Sequence, residues 1–394
     1  MNKNILIVTA TYFPDLGGAG IVAKNTSEEL LRNGYKVTIF CGGKTNKTEE
    51  VNGVKVIRNN TSKNNPPYVL SNYYNPSIEN KFLKTINEND INIVHFHSIQ
   101  GLGANLIEIA LKNKLKTILT MHDFWWECPM LFLNDEYLSS RPVKNHEKYC
   151  NGLMTKKALL DRKKYLYSVL KNKDLIVTTV SKTMKKSLEY IGIPNASKYI
   201  CIENGLKKDC VEDVLDKKEI NKKIQFAYFG GENLSKGFDL VIKASKYLKF
   251  NTNNFQINLY GIHRPKLKTF INYRFLKKYH IKLNDIYKNE DLPKIFSNID
   301  IVLVPSRMYE SFSLIAREAL INDKIVISSG MGGLSELSNK RHLVFNKNSS
   351  ADLSKKMFYA MNNLNNLKED KKPIVCISLE EQSKLYQKLY NNGI

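Results

Sequence analysis

Short, almost wholly apolar runs alternate along this chain with stretches whose apolar residues recur at helical spacing. Asn4 to Ala10, Lys36 to Phe40, Ile91 to His97, Thr117 to Met121 and Leu175 to Val180 are runs of strand length. Between them, Val22, Leu30 and Leu31 mark a helix that stops at Gly34, and Leu102 to Lys112 and Leu153 to Leu170 carry further helical patterns. Strands apolar at successive positions are buried on both faces, which predicts a parallel sheet layered by helices. IENGL, residues 202 to 206, reads as a connection, after which the alternation starts again. Ile224 to Phe229, Ile257 to Tyr260, Ile301 to Val304 and Lys324 to Ser328 are the second set of strands, with a helix from Phe238 to Leu248. The predicted architecture is α/β with two Rossmann-like doubly wound domains facing a cleft, residues 1–203 and 204–375. Residues 376–394 form a terminal helix, with Leu385 and Leu389 on one face, that packs back towards the first domain.

At 394 residues the chain has the length of two domains, and 42% hydrophobic with 25% charged residues is ordinary for a soluble globular protein. The net charge of +22 is not ordinary; it favours polyanionic partners such as phosphorylated substrates, an anionic membrane surface or nucleic acid. The start is not a signal peptide, because its short apolar run meets Pro14 and a glycine turn, and no run reaches the ~18 residues of a membrane span. The six cysteines form no CxxC pair, so a cytoplasmic protein with free thiols is expected. Cys128, His146 and Cys150 are close in sequence but lack a fourth ligand and read as incidental. Two basic stretches, 156–173 and 263–283, could touch an anionic membrane; the first reads rather as a lysine-rich domain helix, and no nucleic-acid motif supports the second.

The candidate chemistry concentrates in VPSRMYESFSLIAREAL, residues 304 to 320. Pro305 stops a strand, a polar loop follows, and a helix begins with Ser311 or Ser313 available as its N-cap. Glu310 precedes the helix and Glu318 lies on it, 318 − 310 = 8 positions later, so both carboxylates can address one ligand. The first-turn N–H groups near Phe312, Ser313 and Leu314 have no intrahelical partner and favour an anion. Carboxylates for hydroxyls beside amides for phosphate suit a sugar nucleotide. Elsewhere, Asp15, Gly17, Gly18 and Gly20 make a glycine turn after the first strand, without the full GxGxxG spacing. His122 to Trp126 sits at the end of a strand, where open parallel sheets bind ligands, and His95 and His97 read as core or rim residues. GGENLSKG places Lys236 in a loop, and GMGGLSEL is a second glycine turn leading towards a helix start.

In order along the chain, PDLGGAG, DINIVHFHS, TMHDFW, VSKTMKKSLEYIGI, ENGL, FGGENLSKGFD, ESFSLIARE and GGLSE resemble the motifs of glycosyltransferase family 4, retaining enzymes of GT-B fold. The resemblance implies that Glu310 meets sugar hydroxyls, Glu318 the ribose, and the amides of Phe312, Ser313 and Leu314 the sugar and diphosphate. Lys236 would neutralise the diphosphate, Gly17 and Gly18 would approach it from the other domain, and His122 would stand near the transferred sugar. Gly231 occupies a position where the family usually has arginine, so Arg307 or Arg264 is a candidate replacement, and Ser311 and Ser313 stand where glycines are common.

By resemblance, then, the chain is a retaining glycosyltransferase taking a UDP- or GDP-linked sugar to an acceptor hydroxyl on a glycan or lipid-linked glycan. It would work in cell-surface polysaccharide or glycolipid assembly, in the cytoplasm or at the inner membrane face. No cofactor or metal is expected, and no nucleic acid. The alternatives are a sugar-nucleotide epimerase or hydrolase of the same fold, and a basic nucleic-acid-binding protein.

Overall fold

The computed structural model describes residues 3–14, 17–61, 73–129, 131–133, 155–207, 223–262, 273–369 and 376–391. The chain divides into two units, one of residues 1–205 with 377–394 and one of residues 206–376.

In the first unit, eight strands make one sheet: β1 (Asn4–Thr9), β2 (Lys36–Gly43), β3 (Lys47–Val51), β4 (Val54–Asn60), β5 (Ile93–Phe96), β6 (Lys116–Met121), β7 (Leu175–Thr179) and β8 (Ile200–Cys201). Their order is β3-β4-β2-β1-β5-β6-β7-β8, parallel throughout except where β3 pairs antiparallel with β4. From β1 the chain winds first towards β2 and β4, then returns to β5 and winds the other way, so the order reverses between β1 and β5. Such a reversal opens a crevice at the carboxyl ends of the two central strands. β1 leads there into helix α1 (Gly18–Arg32), β5 into His97, and β6 into His122.

The second unit repeats the plan with β9 (Ile224–Tyr228), β10 (Phe255–Leu259), β11 (Ile281–Leu283), β12 (Ile301–Val304), β13 (Ile325–Ser328) and β14 (His342–Val344), all parallel in the order β11-β10-β9-β12-β13-β14. Here the reversal falls between β9 and β12. The side-chain period of two divides the strands between two apolar layers. Phe226, Tyr228, Ile257, Leu259, Ile301, Leu303, Ile325 and Ile327 pack with Leu240, Val241, Ala244 and Leu248 of one helix and Leu353, Met357 and Ala360 of another. Ala227, Val302, Val304 and Val326 face the other way, onto Leu292, Phe296, Ala316, Ala319 and Leu320. Both faces are covered, which is why these strands are apolar without alternation.

Several sequence expectations need correction. Leu31 is 36% exposed, and the inner face of α1 is Val22, Ala23 and Leu30. GMGGLSEL forms only a short 3₁₀ turn, Gly333–Glu336, before β14. The terminal helix, Leu379–Asn391, turns inward not Leu385, which is 36% exposed, but Tyr386 and Tyr390, with Leu389 partly buried beside them. These tyrosines pack among Ile5, Ile7, Ile93, Ile118 and Ile176 and carry their hydroxyls to polar partners. Tyr390 Oη lies 2.7 Å from His95 Nδ1, His95 Nε2 lies 2.7 Å from Thr120 Oγ1, and Thr120 Oγ1 lies 2.7 Å from Thr178 Oγ1 and 3.1 Å from Tyr386 Oη. A tyrosine is admitted to a core when its hydroxyl finds such a partner.

Two consequences can be measured. Tyr390→Phe leaves His95 Nδ1 without this partner and should cost about 1–3 kcal/mol in denaturant unfolding, against almost nothing for Tyr190→Phe at a site 76% exposed. Gly237 has φ +79°, and a Cβ there would fall 2.0 Å from the Pro305 carbonyl oxygen at the end of β12. Gly237→Ala should therefore lower stability by more than about 2 kcal/mol, through left-handed strain and backbone collision together.

Candidate functional site

At the reversal of the second unit, three strand ends converge in connectivity: β9 leads to Gly230 and Gly231, β12 to Pro305, and β13 to the glycine turn at 330–333. After Gly231, at φ +59°, a 3₁₀ turn (Leu234–Lys236) is opened by the Asn233 side chain, which accepts from Ser235 N at 2.8 Å. Lys236 then reaches across to the loop after β12. Its Nζ lies 2.8 Å from Glu310 Oε1 and 3.1 Å from Oε2. The buried Ser306 hydroxyl also donates to Glu310 Oε1. Glu310 is only 8% exposed, so this carboxylate is fixed in orientation by a cation and a hydroxyl.

The backbone of Glu310 is fixed as well. It bridges Gly332 in parallel fashion, and Gly333 N donates to Glu310 O at 2.6 Å. Gly332 has φ +62°, and a Cβ there would lie 2.3 Å from the Glu310 carbonyl oxygen. The turn after β13 can come this close only because glycine has no side chain.

Two residues later the helix Leu314–Ile321 begins. Ser313 is its N-cap residue, but with φ 63° and ψ 81° it is left-handed and its hydroxyl makes no cap bond, which corrects the expectation of a serine side-chain cap. Among the described residues, the N–H groups of Phe312, Ser313 and Leu314 have no partner. They are the donors an anion would take. Glu318, partly exposed on the same helix, lies close enough to Tyr287 for its charge to help burial hold that phenol above its usual range.

The serine-rich loop is held from beneath by a residue that sequence reasoning passed over. Arg317 is 2% exposed; its guanidinium sits 3.7 Å from the centroid of the Phe312 ring, donates to the Phe312 carbonyl and reaches Gly333 O at 3.4 Å and Glu336 Oε2 at 3.5 Å. The signal was there: an arginine, beside Glu318, inside the largely apolar LIAREALI. Phe312 thus contributes its ring to the scaffold and leaves only its backbone to a ligand. Tyr228 is a second omission. Its buried hydroxyl has no partner among the described residues, and burial, then the charge of Glu310, pushes its pKa upward.

Arg307 does not replace the cation missing at Gly231. Both its terminal nitrogens go to Asp239, Nη2 to Oδ2 at 2.8 Å, while Nη1 also reaches Leu234 O at 2.7 Å. It ties the Lys236 turn to the β12 loop. Arg264, and with it residues 263–272 of the basic stretch 263–283, lies outside the described residues, as do Asp15, His146 and Cys150. Cys128 is buried. The other basic stretch does form a helix, Lys156–Leu170, with Arg162 buried against Trp125.

The first unit holds Gly17, Gly18 and His122, all at carboxyl ends of its parallel strands. Gly17 has ordinary extended torsions, φ −98° and ψ 177°, and among the described residues a Cβ at Gly17 or Gly18 would meet nothing within 4 Å. His122 Nε2 is 2.8 Å from His97 Nδ1, with the two rings nearly parallel at 15°. His97 is 2% exposed and lies against the ring of buried His95, 4.3 Å between centroids. Burial holds His95 down to about 3 and His97 and His122 well below the ordinary imidazole value, with the neighbouring rings adding to it for His95 and His97. Beside them Asp123 accepts from Trp125 N at 2.9 Å and Gln100 Nε2 at 3.0 Å, yet burial raises its carboxyl to about 6.

Comparison with known proteins identifies the family and the fold. The family described as Glycosyltransferase Family 4 matches residues 16–209, and the one described as Glycosyl transferases group 1 matches residues 211–373. An uncharacterized 42.6 kDa protein in the cps region of Klebsiella pneumoniae is 25% identical over 363 residues, 85% of this chain and 87% of that one. Among solved structures, sucrose-phosphate synthase from Thermosynechococcus elongatus superposes with a TM-score of 0.74 at 15% identity over 98% of each chain. Anabaena HepE in complex with UDP-glucose gives 0.64 at 13%, over 98% of this chain and 94% of that one. WaaG, a glycosyltransferase involved in lipopolysaccharide biosynthesis, gives 0.63 at 12%, over 99% and 100%. At such identities the structural likeness speaks for the fold alone, and that fold is GT-B. With the two families together spanning nearly the whole chain, this protein belongs to the group 1 glycosyltransferases of family 4 type.

Proposed function

We propose that this transferase moves a sugar from a UDP- or GDP-linked donor to an acceptor hydroxyl with retained configuration, in the assembly of a cell-surface polysaccharide or glycolipid. The observation that carries the reading is the ion pair of Lys236 with Glu310, set beside the unpartnered N–H groups that open the helix at Leu314. Without a ligand, the ammonium and the carboxylate satisfy one another. A diphosphate offers Lys236 a stronger partner, and a sugar offers Glu310 hydroxyls in place of the lysine. In this reading Lys236 and the amides of Phe312, Ser313 and Leu314 take the diphosphate, Glu310 the sugar and Glu318 the ribose. Gly231 lines the phosphate approach, with Ser311 at the edge of the pocket.

As the family resemblance implies, Gly17 and Gly18 would take part at the phosphates. His122 would meet the transferred sugar. The bond between the anomeric carbon and the diphosphate oxygen breaks, and its electron pair leaves with the diphosphate. The acceptor oxygen bonds to the same face of that carbon and gives its proton to the departing phosphate oxygen. The charge developing on the leaving group is what Lys236 and the helix amides stabilise, and no metal ion is expected to be needed.

HepE bound to UDP-glucose supports a nucleotide-sugar donor, and WaaG supports a glycolipid product class. Among the described residues no helix is long and apolar enough to cross a membrane. A lipid-linked acceptor would then be met at the inner membrane face, to which the charge of +22 is suited.

A thermal-shift panel of UDP- and GDP-sugars on the purified protein should single out one donor, because a ligand raises stability in proportion to its affinity. No shift with any of them would overturn the reading. With the donor known, Lys236→Ala should lower kcat by ~10²-fold or more, and Glu318→Ala should weaken nucleotide binding by about tenfold while leaving kcat less affected. Kinetics unchanged in both variants would remove the site assignment. Turnover should also survive EDTA; its loss, restored by a divalent ion, would show that Lys236 and the amides do not suffice for the diphosphate.

A further inference from the structure

Resting on the reading of His122 as the sugar-facing residue, we propose that His97 is a positioning residue that sets the tautomer of His122. His97 Nδ1–H donates to His122 Nε2, and the proton of His122 is thereby held on Nδ1, which acts towards the sugar as a neutral hydrogen-bond donor and not as a base.

The argument is one of counting protons. The contact between His97 Nδ1 and His122 Nε2, at 2.8 Å, joins two ring nitrogens and needs one proton between them. Either ring could supply it. The other nitrogen of His97 decides which. His97 Nε2 is buried and has no partner among the described residues. If the proton of His97 sat there, the core would hold an orphaned N–H; if it sits on Nδ1, the core holds only an unpaired lone pair. Orphaned buried donors are the rarer and costlier defect. The proton therefore belongs on His97 Nδ1, where it is used.

His97 cannot evade the choice by taking a second proton. Its ring lies against His95 on one side and nearly parallel to His122 on the other, and a charge on buried His97 would be unsolvated and repelled by charging a neighbour. Nor can it rotate freely, because His95 is itself fixed at both nitrogens, by Tyr390 Oη and Thr120 Oγ1. The terminal helix, which supplies Tyr390 and Tyr386, is thus part of the support for a residue at the end of β6. On His122, Nε2 is occupied and Nδ1 makes no hydrogen bond among the described residues, so Nδ1–H is the group left for a substrate oxygen.

The test has two arms. Nitrogen-15 NMR of histidine-labelled protein, assigned by the signals lost in His122→Asn, should show His122 protonated at Nδ1 and unprotonated at Nε2; the opposite tautomer would overturn the inference whatever the enzyme's activity. In the second arm, His97→Asn keeps an N–H donor near the place of Nδ1, and His97→Leu removes it. With the donor from the thermal-shift panel, His97→Leu should lower kcat by about tenfold or more with KM nearly unchanged, and His97→Asn should recover most of that loss. Equal losses in the two variants would sink the positioning role. If wild-type protein turns over no sugar nucleotide, it is the transferase reading that fails, while the NMR arm still decides the tautomer.

Discussion

Parallel pairing of strands is the constraint on which the rest of this molecule depends. Parallel strands need a crossover for each step, so all the parallel strands of a sheet point the same way and their carboxyl ends meet at one edge. The winding changes direction between β1 and β5 in one unit and between β9 and β12 in the other, and at such a reversal the crossovers to either side diverge and leave a crevice. Gly17, Gly18, His97 and His122 follow strands at that edge of the first sheet; Gly231, Lys236, Glu310 and Gly332 follow strands at that edge of the second. Residues 74 positions apart, Lys236 and Glu310, form an ion pair because β9 and β12 are neighbours.

That constraint also explains what could be read from the sequence. Central strands such as IVLV at 301–304 are buried on both faces, so their composition alone marks them, and their ends locate the loops that matter. Edge strands were not legible. β3 is KTEEV, with every position exposed or partly so, and β14 is HLV; neither buries enough to leave an apolar run. The terminal helix was legible as a helix but not in its orientation. Leucines ordinarily outrank tyrosines for the core, and the reversal here rests on His95 and Thr120, nearly 300 positions away and waiting for hydroxyls.

The loop at Glu310 went the same way: its place between a central strand and a helix was readable and its internal wiring was not. A serine before a helix usually caps it with its hydroxyl, yet Ser313 is left-handed, because the chain must turn sharply between the Glu310–Gly332 bridge and the helix. A left-handed position is one that glycine takes without strain, which gives a physical reason for the glycines common there in the family. Arg307 was a reasonable candidate for the missing diphosphate cation by sequence distance. Asp239, 68 positions upstream, claims it, and the fork-to-carboxylate match leaves it little freedom.

The two edges differ in how they manage buried polarity, and the difference bears on what each can do. At the second, Lys236 and Glu310 carry opposite charges and cancel, so a charged ligand can enter by exchanging partners without leaving an ion unsolvated. At the first, burial lowers the pKa of three imidazoles, of which His95 bonds to a tyrosine and a threonine hydroxyl and His97 bonds to His122, an arrangement that offers directed hydrogen bonds. A departing diphosphate needs the first kind of surroundings, since charge develops on it. A sugar needs the second, since its hydroxyls must be oriented and a full positive charge beside an oxocarbenium-like centre would oppose the reaction. On the proposed reading, keeping His122 neutral would matter to the chemistry as much as the ion pair at Lys236, and the packing of His122 against His97 serves that end.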